Sequence, residues 1–139
     1  MKVSEAMHVG TTWMGPDTSI HELARAMRDE DIGAIPIGEH DRLIGMVTDR
    51  DIAVRGLADG RDVASMTARD LMTSPIIYCR AEEDLDDAAR IMEEKGIRRL
   101  PVIDANKRMV GMLALGDIAN GASNGISAEI MQAVAAHHP

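Results

Sequence analysis

Apolar residues at Ile20, Leu23, Ala24 and Met27 follow the i, i+3, i+4, i+7 spacing of an amphipathic helix, and Leu85, Ala88, Ala89 and Met92 repeat it. Both segments follow a turn. Ile35-Pro36-Ile37 and Leu100-Pro101-Val102 are short apolar runs that read as strands, and their proline, which has no N–H to give a ladder, suits an edge position. Leu43 to Val47 and Met109 to Leu113 read as second strands, with a further helix after each. Gly56 to Ser65, carrying Gly56, Gly60 and charged residues, reads as a linker, while Ile130, Ala133 and Val134 point to a last short helix. The predicted order is strand, helix, strand, strand, helix, twice over.

The two halves are copies. Met7, Ile20, Ala24, Arg25, Met27, Ile32 and Pro36 recur 65 positions later as Met72, Leu85, Ala89, Arg90, Met92, Ile97 and Pro101. One residue inserted between Asp104 and Lys107 raises the shift to 66, which matches Ile44-Gly45-Met46 and Asp51-Ile52 with Val110-Gly111-Met112 and Asp117-Ile118. The expected boundaries are 4–60 for the first repeat, 66–121 for the second, and 122–139 for a C-terminal helix and tail. Trp13 and Tyr78, the only aromatics, also stand 65 apart. They read either as matched core fillers or as flat rings for stacking a ligand.

Composition narrows the function classes. The chain has 139 residues, 45% of them hydrophobic, with no Phe and 11 Met, so an aliphatic and adaptable core is expected. A formal charge of −8 repels phosphate backbones and anionic lipid, which argues against nucleic acid and membrane as partners. Met1-Lys2-Val3-Ser4-Glu5 lacks the apolar stretch of a signal peptide, no run of about 18 apolar residues exists, and Cys79 is the single cysteine. A soluble, cytoplasmic protein is expected. His8, His21, His40, His137 and His138 lack metal-ligand spacing, so no metal is expected, and no nucleophile–base order or phosphate-binding glycine loop points to an enzyme.

Ile32-Gly33-Ala34-Ile35-Pro36-Ile37 followed by Gly45-Met46-Val47-Thr48-Asp49-Arg50-Asp51-Ile52 resembles the CBS domain family, and Ile97 to Val102 with Gly111 to Ile118 resembles it again. The likeness runs from about Ser4 to Asn120 and is that of a stand-alone tandem pair, or Bateman module. It implies an α+β fold of two pseudo-symmetric β-α-β-β-α lobes, usually a homodimer, and the Ala-rich helix faces at Ala24 with Met27 and Ala89 with Met92 would permit close helix packing between two copies. It also implies a regulatory role, including stress response, with clefts between the lobes for AMP, ATP, S-adenosylmethionine or related adenosyl ligands. No cofactor would be required, and the output would pass in trans to an effector protein.

The family's ribose-binding aspartate maps onto Asp51 and its supporting hydroxyl onto Thr48; the resemblance further implies that Asp51 faces Thr73, Ile77 and Tyr78, while Asp117 faces His8, Thr12 and Trp13. Chemistry agrees, because an ionised carboxylate accepts both hydrogens of a cis-diol, and a helix start offers free amides to phosphate. Thr48 and Asp51 equally match a helix N-cap with an acid in the first turn. In the second copy Ala114 replaces the threonine while Asp117 is kept, so that site is weaker, different in ligand, or empty. Arg98 and Arg99 are candidates for a phosphate, or for surface ion pairs, and Arg50 is a further phosphate candidate. Three readings stand: an adenosyl-ligand sensor, a ligand-free dimerisation scaffold, and a small nucleotide-acting enzyme without a recognisable catalytic group.

Overall fold

A computed structural model describes residues 1–73 and 76–121; the helix expected around Ile130 to Val134, and His137 and His138, lie outside the described residues. The chain forms two compact units, one from Met1–Thr11 with the chain from Ile77 onward, the other from Thr12–Ile76. Its helices are α1 (Val3–Ala6), α2 (Ile20–Glu30), α3 (Ala68–Leu71), α4 (Leu85–Lys95) and α5 (Leu115–Gly121). Its strands are β1 (Ala34–Glu39), β2 (Arg42–Thr48), β3 (Cys79–Arg80), β4 (Arg99–Ile103) and β5 (Met109–Ala114).

In the unit Thr12–Ile76, Ser19 caps α2 by accepting the Glu22 amide at 3.1 Å, and the helix ends where Asp31 turns left-handed at φ 53°. Its apolar stripe, Ile20, Leu23 and Met27, is buried with Ile35, Ile37, Val47, Met66, Ala68 and Leu71. β1 and β2 pair antiparallel through the two-residue turn His40-Asp41, both with positive φ, as a tight hairpin of this twist requires. A π-helix, Asp51–Leu57, follows β2, and a short 3-10 helix spans Val63–Ser65. Gly56 is therefore not linker: it is buried in the π-helix, where a Cβ would come within 2.7 Å of Val63. α3 is tied to the start of α2 by Ala68 N–H to Thr18 O at 2.8 Å and Ile20 N–H to Met66 O at 3.1 Å.

The other unit repeats the plan. Asp84 caps α4 through the Asp86 amide, Gly96 ends it at φ 65°, and Leu85, Ala88, Ala89 and Met92 are buried with Val3, Cys79, Leu100, Val102, Leu113 and Ile118. The sheet order is β3-β4-β5, with β3 parallel and β5 antiparallel to β4. Pro101 thus lies in the central strand, against the edge position expected for it. The reason is register: the parallel ladder opens at Cys79 opposite Val102, one residue beyond Pro101, so the missing N–H falls outside it. In the other unit the corresponding pairing is a single bridge, Met14 to Ile37, with Met14 donating to the Pro36 carbonyl at 3.1 Å. The inserted residue sits in the β4–β5 loop, which Asp104 braces by accepting the Asn106 and Arg108 amides at 2.8 and 3.0 Å. The Cys79 thiol is buried, and burial, with the charge of Glu83, pushes it up to about 12, which suits a core residue rather than a reactive one.

Candidate functional site

Each unit presents an aspartate at the start of the helix after its hairpin. In the first copy the pair is reciprocal: the Thr48 amide donates to Asp51 Oδ2 at 2.8 Å, and the Asp51 amide donates to Thr48 Oγ at 3.1 Å. The helix-capping arrangement is therefore formed. It does not exhaust the carboxylate, because each oxygen has two acceptor positions. Oδ1 is met by Arg55 at 3.4 Å, one turn on, while the same guanidinium nitrogen donates to the Leu71 carbonyl at 2.9 Å. The Asp51 side chain is 14% exposed and that of Arg55 46%, so the acid is recessed behind a more open cation. Arg55 was not among the expected site residues, although its acid-then-base spacing of four is a helix pairing visible in the sequence.

In the second copy the Ala114 amide donates to Asp117 Oδ2 at 2.8 Å, with no hydroxyl to answer it. Oδ1 is met by His8 Nε2 at 2.9 Å. His8 is carried there by backbone pairing with Met112, and Thr73 is carried beside β2 in the same way, its amide donating to the Met46 carbonyl at 2.9 Å. Glycine makes both approaches possible. A Cβ at Gly111 would fall 2.6 Å from the His8 carbonyl oxygen, and one at Gly45 2.7 Å from the Met72 sulfur.

The remaining expected residues are placed as follows. Trp13 is 42% exposed and so is not a core filler; its ring lies on β1 at Gly38, where any Cβ would run into it. Tyr78 and Ile77 are half-buried, and Thr73 is exposed. The Thr12 hydroxyl is engaged by the Glu30 carboxylate. Arg50 is exposed, and its amide donates to Asp49 at 2.8 Å. Arg98 and Arg99 are exposed beside Leu100, the Arg98 carbonyl accepting the Leu115 amide at 2.9 Å. Among the described residues no group of three or more His, Cys, Asp or Glu could hold a metal, and no helix is long and apolar enough to cross a membrane.

Comparison with known proteins places these features in a family. The model of the CBS domain matches residues 3–56 and again 68–123. Hypoxic response protein 1 of Mycobacterium tuberculosis is 42% identical over 116 residues, 83% of this chain and 80% of that protein. A crystal structure of Hypoxic Response Protein I with two coordinated zinc ions superimposes with a TM-score of 0.79 at 40% identity, covering 88% of this chain and all of that one. The CBS domain pair of protein MJ0100, in complex with 5-methylthioadenosine and S-adenosyl-L-methionine, has a TM-score of 0.77 at 29% identity, over 86% and 94% of the two chains. CBSX2 in complex with AMP has a TM-score of 0.74 at 26% identity, over 87% and 95%.

Proposed function

The chain belongs to the CBS domain family as a tandem pair, and from that membership we propose that it is a regulatory module binding an adenosyl ligand of the AMP, ATP or S-adenosylmethionine class. The observation that carries this is the recessed Asp51 carboxylate, oriented by the Thr48 amide and hydroxyl, with acceptor positions left for a ribose cis-diol. Arg55 and Arg50 are the nearby cations of that copy suited to a phosphate, and Arg98 with Arg99 those of the other. The adenosyl complexes of MJ0100 and CBSX2 support the ligand class. The module acts without catalysis of its own and reports to an effector in trans.

A ligand held only by the native state raises the unfolding temperature, adding about 2.7 kcal/mol at a hundredfold excess over its dissociation constant. Melting the protein with AMP, ATP, S-adenosylmethionine and NADH is expected to give a shift with at least one. No shift with any of them would favour the ligand-free scaffold, a reading for which the closed Thr48–Asp51 cap is the supporting observation.

The partner surface also changes. Met27, Ala89 and Met92, expected to pack between two copies, are buried inside their own units, and only Ala24 of that set is exposed. Among the described residues, the large apolar side chains left open near the site are Val54 and Leu57 on the π-helix, 42% and 60% exposed. We expect a homodimer that covers them. Light scattering at micromolar concentration should give twice the 15.0 kDa chain mass, and a monomer would rule this out.

A further inference from the structure

The second carboxylate differs from the first in a way that Ala114 does not account for. Both of its oxygens are engaged, Oδ2 by the Ala114 amide at 2.8 Å and Oδ1 by the His8 ring at 2.9 Å. The His8 side chain is 71% exposed and that of Asp117 only 16%, so an open ring meets a recessed acid. The backbone beneath the ring is fixed, with His8 donating to Met112 O at 2.8 Å and Met112 donating back at 2.9 Å. Gly111 leaves the room for this. In the first copy the position equivalent to His8 is Thr73, which brings no ring, and among the described residues Asp51 Oδ1 meets Arg55 of its own helix at the longer distance of 3.4 Å.

We infer that His8 is a latch on Asp117 that decides whether the second copy accepts a ribonucleoside. The inference rests on the adenosyl-ligand reading. A cis-diol presents two O–H donors to one carboxylate; acceptor positions remain on both oxygens, but the His8 ring, 2.9 Å from Oδ1 of an acid only 16% exposed, stands in the space from which a sugar would reach them. A ligand therefore binds Asp117 only in the fraction of molecules whose ring has swung away, and its apparent affinity falls by that fraction. Swinging costs no core packing, since the ring is exposed. The asymmetry between the copies is then set by position 8, and removing the ring restores the second site even with alanine at 114.

The test is calorimetry of the full chain with AMP as probe. Wild type should bind one AMP per chain. His8→Ala should bind two, or show a second site tightened at least about tenfold, and His8→Ala with Asp117→Ala should return to one. His8→Gln, which keeps an N–H donor, should behave as wild type and so excludes a general disturbance of the fold. Wild type already binding two equivalent AMP, or His8→Ala titrating like wild type, would overturn the latch. Failure of the underlying reading looks different. If wild type binds none and His8→Ala binds one that Asp117→Ala abolishes, the latch stands and the Asp51 site falls. If neither binds AMP, both fall.

Discussion

Asp51→Ala is expected to weaken adenosyl-ligand binding about thirtyfold to a thousandfold. Two hydrogen bonds from a ribose to an ionised carboxylate contribute about 1.5 to 3 kcal/mol each when made singly, and incomplete additivity brings the joint loss to roughly 2 to 4 kcal/mol. The same substitution removes the acceptor of the Thr48 amide, so stability should fall too, by about 1 kcal/mol as for a lost cap. The two effects separate by measurement. Calorimetry reads the affinity, urea unfolding reads the stability, and circular dichroism confirms that the variant folds. If Asp51→Ala is less stable but binds as tightly as wild type, the pair is only a cap, and the site lies elsewhere. Asp117→Ala should change affinity at this site much less; a stronger effect from Asp117 would mean that the working carboxylate is in the other copy.

What could be read from the sequence were features whose causes are local or repeated. The stripes of α2 and α4, the two hairpins, and the helix-start aspartates at Asp51 and Asp117 follow from periodicity and from matching one copy against the other. The structure departs from the reading where the cause is tertiary. Pro101 looked like an edge residue because proline lacks a donor, but where the neighbouring strand starts is not written near Pro101. Gly56 looked like a breaker, whereas its missing side chain is what lets Val63 approach. Ala89 and Met92 looked available to a second copy because a stripe gives no sign of what fills it. Trp13 reads as a core filler or as a stacking ring, and Gly38, which has Ile103 as its counterpart in the other copy, is what lets its ring lie on a strand surface. The four-residue helices α1 and α3 were not foreseen at all, since four residues hold too little pattern to reveal a period.

α3 gives the second large expected effect. A helix of four residues has no stability of its own, because nucleation costs more than so few hydrogen bonds return. It must be held by what it buries. Leu71 is fully buried with Leu23, Ile35, Ile37 and Val47 of the unit Thr12–Ile76, although its place in the repeat is that of the second copy. Its carbonyl also receives Arg55, the cation beside Asp51. Leu71→Ala should therefore cost about 2 to 5 kcal/mol, the range for deleting a leucine side chain from a packed core and leaving a cavity. Val9→Ala, at a residue 73% exposed, should stay within about 0.5 kcal/mol and serves as the control. Urea midpoints for both variants, compared at equal slopes, give the answer. A Leu71→Ala protein as stable as the control would mean that α3 is not docked, and the support it gives Arg55 would go with it. If the cost is found, nucleotide affinity measured well below the lowered midpoint should also weaken, because the backbone carbonyl that orients Arg55 would rest on a loosened helix.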